Sequence, residues 1–243
     1  MEDSILFVHA HIVIDGNKEV LDGAIAFKDT IEDVYYHLND KILKKYEGRI
    51  YDLKGLIIMP SFVNIGHTED DGIYDDGVDV KYKDQILIHR TSKDEDYDGL
   101  IAPYDSNLKD YDVVLDLFHT HEKFDHQKPT LINDAFNNKS YVSVSIDDIH
   151  DDVLWFILRV IDRKKLIITG DLQESDIIKR LKKFNVANTD IVLYRGINLL
   201  RLLGYKRSGE LKRGMEASFD IYDKDLQLLY RINKGEYLKG ESK

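Results

Sequence analysis

Leu53-Lys54-Gly55-Leu56-Ile57-Ile58-Met59-Pro60-Ser61-Phe62-Val63-Asn64-Ile65-Gly66-His67-Thr68 is the stretch that decides the fold of this chain. Its apolar run from Leu56 to Met59 is too short for a helix and is bounded by glycine and proline, so we predict a buried strand that enters a turn. A second short apolar run follows and ends at Gly66-His67. A strand that delivers a histidine at its end, after a glycine that allows close approach, is typical of how α/β barrels present metal ligands and bases.

The composition limits the possible functions. With 43% hydrophobic residues over 243 positions, we expect a globular chain of one or two domains. The net charge of -11 disfavours binding to nucleic acid and to anionic membranes. The sequence has no cysteine, so any metal needs histidine and carboxylate ligands. We find no signal-peptide pattern and no run long enough to span a membrane, and we expect a cytoplasmic protein.

The N-terminal segment predicts a β-hairpin followed by a helix. Ile5 to Ile14 and Val20 to Phe27 are apolar and β-branched runs around an Asp-Gly-Asn turn, which indicates two strands. Apolar spacing from Ile31 to Tyr46 predicts an amphipathic helix. His9 and His11 lie two residues apart on the first strand and so share a face. We interpret this pair as structural, because no acidic residue with matching geometry can be read nearby.

An acidic, turn-rich segment follows His67 and extends from Thr68 to Gly77. The order of its carboxylates does not fit an EF-hand, which needs oxygen ligands at alternating positions, a central glycine and a closing glutamate. We therefore predict a solvated loop. Short strands are predicted within Lys83 to His89 and Gly99 to Pro103.

A second dense group of polar side chains follows the strand predicted at Val113 to Leu115. The residues with metal-binding side chains after this strand are His119, His121, Asp125 and His126. One interpretation is the H-x-H-x-D-H loop of metallo-β-lactamase-fold hydrolases. In this chain, however, three residues separate the second histidine from the aspartate where that motif has one.

The other interpretation is a resemblance to the amidohydrolase superfamily. The segment from Leu115 to Pro129 resembles the T-H-L-F-N-A-M…H-H-R-x-P segment of N-acetylglucosamine-6-phosphate deacetylases. In that register Asp116 replaces a metal-binding histidine, and His119 replaces an asparagine that contacts the substrate. The opening stretch similarly resembles the family's G-x-x-h-h-P-G-F-h-D segment, where h is apolar.

Two later segments carry the same resemblance. Tyr141 to His150 resembles the strand Y-h-x-h-I-x-D-G-h-H, which implies that His150 contacts the substrate. A helix is predicted from Asp152 to Arg163. Lys165 to Asp171 resembles K-h-h-h-h-T-D-A, whose aspartate is the general acid and base. In strict register Gly170 occupies that position and Asp171 lies one residue later, which turns a side chain to the opposite face unless a bulge corrects it.

The C-terminal third predicts two helices, Ser175 to Phe184 and Asp190 to Leu203, and then a family signature. Ser208 to Asp223 matches G-x-h-x-x-G-x-x-A-D-h-h-h-h-D, which returns an amidohydrolase chain to its β-domain. The resemblance implies an α/β fold with an incomplete or reduced (β/α) barrel in residues 60–204 and a small β-sandwich domain formed by 1–59 and 205–243. Roughly 145 residues lie in the barrel segment, whereas a full barrel takes about 250.

The register of His67 explains this difference in length. Counted from Pro60, the H-x-H ligand positions of the first barrel strand fall on Gly66 and Thr68. Counted from its own neighbours, His67 matches the h-G-H-T-x-A segment of the fifth strand, whose histidine binds metal. We favour the second register, in which the chain passes from the first strand to the fifth. The family's H-x-E-G-P segment, whose glutamate is a metal ligand, has no counterpart.

The resemblance implies a divergent, metal-dependent deacetylase. A divalent ion such as zinc would be held by His67 and Asp116, His119 and His150 would contact an amino-sugar phosphate, and Asp171 would be the catalytic acid and base. With the glutamate absent and the aspartate displaced, we expect weak or absent activity. The alternative is a non-catalytic sugar-phosphate-binding or regulatory paralogue. An open barrel leaves strand edges to cover, so we expect a homodimer or a compensating loop.

Overall fold

The fold is known from a computed structural model, which describes residues 4–65, 73–75, 78–79, 101–102, 113–114, 141–147, 149–170, 172–202 and 205–239. The chain divides into two compact units. The first unit contains Met1–Phe62, Leu181–Val192 and Lys206–Lys243, and the second contains Val63–Arg180 and Leu193–Tyr205. The predicted domain limits, 1–59 with 205–243 and 60–204, stay a prediction.

The strands are numbered in chain order. They are β1 (Ile5–Asp15), β2 (Lys18–Phe27), β3 (Ile31–Tyr35), β4 (Ile50–Asp52), β5 (Ile57–Pro60), β6 (Val63–Ile65), β7 (Ile73–Asp75), β8 (Val78–Asp79), β9 (Ile101–Ala102), β10 (Val113–Val114), β11 (Tyr141–Ser145), β12 (Leu166–Thr169), β13 (Phe219–Tyr222), β14 (Leu228–Asn233) and β15 (Glu236–Lys239).

The described residues also form helices. They are α1 (Asp40–Lys45), α2 (Asp151–Val160), α3 (Glu174–Lys183), α4 (Asn188–Val192) and α5 (Asn198–Leu202). A π-helical segment, Leu193–Ile197, joins α4 to α5, so the predicted second C-terminal helix is present but contains a wider turn. Such π turns inside helices are rare and often lie at functional sites.

The first unit is built on one eight-stranded sheet with the order β15-β14-β13-β5-β1-β2-β3, in which β4 also pairs with β1. The predicted hairpin is confirmed: β1 and β2 pair antiparallel, and the Asn17 backbone N–H donates to Asp15 Oδ1 at 2.7 Å in the turn. The strand predicted from Leu56 is also confirmed as β5. It lies between β1 and β13, so the N- and C-terminal segments share a sheet.

This sheet curls over its own core. Phe27 of β2 and Phe219 of β13 are three strands apart in the sheet order, yet their ring centroids lie 5.0 Å apart. Neighbouring strands are spaced about 4.8 Å, so a flat sheet would hold these two strands roughly 14 Å apart. Both rings are buried, and each stabilises the unit by about 1.5–3 kcal/mol relative to an exposed ring.

The helix predicted from Ile31 to Tyr46 is wrong in its first half. Residues 31–35 form β3, which pairs antiparallel with β2 and places Val34 opposite Ile25. Helix α1 begins only after Asn39, whose side chain accepts a hydrogen bond from the Ile42 backbone N–H at 3.0 Å. Pairing with an existing strand thus overrides the helical spacing in the first half, and the asparagine N-cap sets the true start of the helix.

The described part of the second unit contains two sheets. Strands β12-β11-β10-β9 form a parallel sheet, and β6-β7-β8 form an antiparallel one. The predicted strands and helix at β11, α2 and β12 are confirmed and make one β-α-β crossover. The mixed α/β class is therefore confirmed, while the reduced barrel stays a prediction.

Candidate functional site

The candidate site lies in the second unit, at the carboxyl ends of β11 and β12. These parallel strands are in register, with Ser145 opposite Thr169. In open α/β sheets, ligands bind outside the carboxyl ends of the strands. The residues that follow the two strands, from Ile146 to His150 and at Gly170, therefore form the natural place for functional side chains.

The carboxylate of Asp147 lies against the backbone of Gly170. A Cβ atom added to Gly170 would stand only 2.7 Å from Asp147 Oδ1 and 2.7 Å from Cγ2 of Ile146. The Leu172 backbone N–H also donates to Asp147 Oδ1, at 3.2 Å. Position 170 must therefore be glycine, because the carboxylate from the end of β11 fills the space that a side chain would take.

His150 stands at the N-cap position of α2. Its backbone is extended, with φ -66° and ψ 146°, and its carbonyl accepts from the Leu154 N–H at 2.9 Å, while its side chain makes no capping hydrogen bond. The side chain is exposed, whereas the preceding Ile149 and the more distant Ile146 are buried. The loop is thus anchored by its apolar side chains and leaves the imidazole at the surface.

Arg180 of α3 ties this loop together. Its guanidinium donates to the backbone carbonyls of Ile146 and Ile149, and to Asp151 Oδ1 from Nε at 3.0 Å and from Nη2 at 2.9 Å. The arginine side chain is 18% exposed and the Asp151 side chain 58% exposed. A single guanidinium therefore joins the end of β11 to the first turn of α2.

A buried ion pair fixes β12 from the inner side. Arg195, in the π-helical segment, donates to both oxygens of Glu174 at 3.0 and 2.6 Å and to the Ile168 carbonyl at 2.7 Å. Both side chains are almost fully buried. Asn198 Nδ2 donates to the Leu166 carbonyl at 2.7 Å. Because the start and the end of β12 are both bonded, the strand end that carries Gly170 is held firmly.

Only one of the residues predicted for the site lies in the part of the chain that the structure describes. That residue is His150, which lies between β11 and α2, and its predicted contact with the substrate stays a prediction. The predicted metal ligands His67 and Asp116, the predicted substrate contact His119 and the predicted acid and base Asp171 lie outside the described residues. Their roles stay predictions.

Sequence reasoning missed Asp147, Arg180 and the Arg195–Glu174 pair. Asp147 matches the aspartate in the D-G-h-H part of the strand pattern. No feature of the sequence indicated that it would contact Gly170. Arg180 bonds to two backbone carbonyls as well as to Asp151, and a sequence pattern does not reveal bonds to the backbone.

The described residues contain no group of three or more histidine, aspartate and glutamate side chains arranged to hold a metal ion. His9 Nδ1 lies 3.2 Å from Asp22 Oδ1, and His11 Nε2 lies 2.9 Å from Glu19 Oε2. The expectation that no acidic partner lies near these histidines is therefore wrong, because the neighbouring strand β2 supplies one to each. Their separate pairing agrees with the structural interpretation of the H-x-H motif.

Several solved structures share this fold. A β-aspartyl dipeptidase from Fervidobacterium islandicum AW-1, in complex with β-Asp-Leu dipeptide, matches with a TM-score of 0.66 and 9% identity, over 98% of this chain and 97% of that one. The chain shares the fold of this enzyme. N-acetylglucosamine-6-phosphate deacetylase from Thermotoga maritima matches with a TM-score of 0.58 and 13% identity, over 98% of this chain and 100% of that one.

A mutant of the Mycobacterium smegmatis deacetylase, in complex with N-acetyl-D-glucosamine-6-phosphate, matches with a TM-score of 0.60 and 11% identity, over 97% of this chain and 99% of that one. Identities this low establish the fold alone, and at that level they confirm the resemblance seen in the sequence. No protein-family model matches the sequence, and no curated protein matches it. Among the described helices, none has the length and apolar character needed to cross a membrane.

Proposed function

We propose that this chain is a divergent amidohydrolase that binds an amino-sugar phosphate and hydrolyses its amide weakly or not at all. The observation that carries the proposal is the loop after β11, which presents Asp147 and His150 at the carboxyl end of a parallel sheet in an amidohydrolase-type fold. His150 stands at the position that the deacetylase pattern gives to a substrate-contacting histidine. The amino-sugar phosphate is the ligand of one structure with this fold.

The proposed roles follow the sequence. A bound divalent ion, held by His67 and Asp116, would supply the activation of water and the polarisation of the amide carbonyl. His119 and His150 bind the substrate. Asp171 holds and returns the proton that moves to the leaving amine. Carboxylate and imidazole are both ligand types that zinc accepts.

A second candidate, a non-catalytic binding protein, is favoured by Gly170. In strict register this glycine occupies the position of the catalytic aspartate, and the contact with Asp147 leaves no space for a side chain there. Residues that act as a unit in catalysis fail together, so loss of one carboxylate removes most of the rate. Binding of the sugar phosphate does not depend on that carboxylate.

Calorimetric titration of the purified protein with N-acetylglucosamine 6-phosphate tests the proposal. A separate titration with the β-Asp-Leu dipeptide tests the alternative class of ligand. We expect the sugar phosphate to bind and the dipeptide not to bind. His150→Gln should weaken binding by about tenfold, which corresponds to about 1.4 kcal/mol. His37→Gln is the matched control, because His37 is an exposed histidine of the first unit. Absence of sugar-phosphate binding contradicts the proposal.

Amine release and metal content of the same samples separate the two candidates. Metal-dependent release that disappears in His67→Ala identifies an active hydrolase. Binding without release, with or without metal, identifies the non-catalytic protein. For the predicted homodimer, light scattering of the same preparation gives the mass directly.

A further inference from the structure

We infer that Arg180 is a positioning residue, which holds the Ile146–Asp151 loop in the conformation that presents His150 and Asp147 at the strand ends. The choice of sugar phosphate as the ligand rests on the proposed function. The Arg180 contacts themselves involve only described residues of the second unit. The guanidinium has three acceptors on this loop, which are the carbonyls of Ile146 and Ile149 and the carboxylate of Asp151.

The acceptors lie on both sides of the two polar residues. Ile146 is the last residue bonded into the sheet, since its N–H donates to the Thr169 carbonyl at 2.9 Å. Asp151 is in the first turn of α2. The Arg180 guanidinium thus bonds both to the end of strand β11 and to the start of helix α2. These bonds hold the two ends of the segment that carries Asp147 and His150.

The chemistry of the clamp requires arginine. A guanidinium is a planar fork of five N–H donors, so it can reach two carbonyls and a carboxylate at once. A lysine ammonium at the end of a flexible stem is a single point of charge and does not reproduce this geometry. The stability gained from the ion pair itself is small, because Asp151 is mostly exposed and solvent screens such pairs. The contacts therefore matter for the position of the loop more than for folding.

The contact between Asp147 and Gly170 is a second attachment of the same loop. The Asp147 carboxylate accepts from the Leu172 N–H and rests where residue 170 has no side chain. The loop is thus held by Arg180 through its backbone and by the end of β12 through Asp147. Loss of the arginine removes the bonds to the backbone carbonyls and leaves the contact through Asp147.

The test compares Arg180→Ala, Arg180→Lys and the control Lys179→Ala, which removes a cation from the preceding position of the same helix. Imidazole resonances are recorded by NMR for each full-length protein, and the His150 signal, one of nine histidines, is assigned from His150→Gln. We expect the His150 signal to shift in Arg180→Ala and Arg180→Lys but not in Lys179→Ala. His9, His11 and His37 should not shift, and millimolar guanidinium ion should restore the His150 signal in Arg180→Ala alone.

Titration with N-acetylglucosamine 6-phosphate provides the second readout. Binding should weaken by about tenfold or more in both arginine variants, because small misplacement of a contacting group has large effects. Guanidinium ion should restore binding to the alanine variant. A merely structural role would change the melting temperature without this rescue. If one variant does not fold, the other arginine variant gives both readouts.

The two proposals fail in different ways. If the wild type binds the sugar phosphate and the arginine variants bind it equally well, Arg180 is not a positioning residue. If the wild type does not bind, the proposed function fails and the NMR readout alone decides. A His150 shift reversed by guanidinium then supports the positioning role, and an unchanged His150 signal overturns it.

Discussion

Among the residues that the structure describes, each unit buries an arginine–carboxylate pair, and the two pairs are assembled differently. In the first unit Arg231 and Asp220 stand directly opposite each other on neighbouring antiparallel strands, β14 and β13, and bond at 2.8 and 2.9 Å. In the second unit Arg195 comes from the π-helical segment and Glu174 from the start of α3. The first pair follows from strand register, whereas the second exists only after distant segments have packed.

This difference shows where each unit is sensitive. Asp220 also accepts from the Ser61 and Tyr222 hydroxyls at 3.1 and 3.3 Å, so its carboxylate has several donors and Arg231 retains 10% exposure. Arg195 is fully buried, and its partner Glu174 keeps only 4% exposure. We therefore expect the second unit to depend more strongly on its pair.

The largest effect is expected for Glu174→Gln. The change removes the carboxylate charge that pairs with the fully buried Arg195 guanidinium, which should lower the free energy of unfolding by about 3–5 kcal/mol. Urea unfolding followed by the fluorescence of Trp155 measures it, because this single tryptophan lies in α2 of the second unit. Combining the change with Arg195→Met should recover most of the loss, since both charges are then removed. A loss below about 1 kcal/mol would show that water reaches Arg195.

A smaller effect is expected for Asp220→Asn in the first unit. The asparagine keeps an acceptor for Ser61 but loses the charge opposite Arg231, so the free energy of unfolding should fall by about 2–3 kcal/mol. Circular dichroism of the strand band during urea unfolding gives the value. Ser61→Ala, which removes only the neutral donor, serves as the control and should have the lesser effect. A loss greater than that of Glu174→Gln would reverse the comparison between the units.

The pH dependence of the first unit should be visible at Glu32. Burial alone would raise the pKa of this carboxyl, but hydrogen bonds from Ser4 and Tyr46, together with the nearby Lys45 ammonium, hold the pKa below its ordinary value of 4.5. A lowered folded pKa contributes stability above about pH 4.5, and that contribution is lost as the pH falls through the folded pKa. Glu32→Gln should therefore lower the free energy of unfolding by about 1–2 kcal/mol at pH 7 and by much less at pH 3.

The control for this titration is Glu47→Gln, at an exposed glutamate of the same unit. Denaturation midpoints of the three proteins are compared between pH 7 and pH 3. A constant difference between wild type and Glu32→Gln over this range would contradict the assigned hydrogen bonds.

The smallest effect is expected for Asn39→Ala, which tests the local start of α1. Loss of the side-chain acceptor for the Ile42 N–H should lower the free energy of unfolding by about 0.5–1 kcal/mol. Asn39→Asp, which keeps the acceptor, should retain stability near that of wild type. If alanine has no effect, strand β3 and its partner determine this region without help from the cap.

Local sequence patterns predicted most of the strands but not the contacts between them. The hairpin of β1 and β2, strand β5 and the crossover through α2 were predictable because turn residues and apolar periodicity mark them directly. Strand β3 was not predictable, because it forms by pairing with β2 at the edge of the sheet, and local residue propensities do not report such tertiary pairing. The N-cap signal of Asn39 was present in the sequence and was outweighed by apolar spacing.

The candidate site was predictable only in part. His150 was found because it ends a recognisable strand pattern. The contact between Asp147 and Gly170 depends on how two parallel strands end side by side, and the clamp by Arg180 depends on backbone carbonyls. Both are set by three-dimensional packing over 20–35 residues of sequence separation, which no local periodicity encodes.

The pairing of β5 with β13 has a consequence for synthesis on the ribosome. Ile58 and Ile221 are partners in the same sheet although most of the chain lies between them. The β1–β2 hairpin can form early because its contacts are local, but β5 must wait for β13 to emerge from the exit tunnel. During that interval one side of β5 has no partner strand, and nascent chains of this protein should be good substrates for chaperones that cover exposed strand edges.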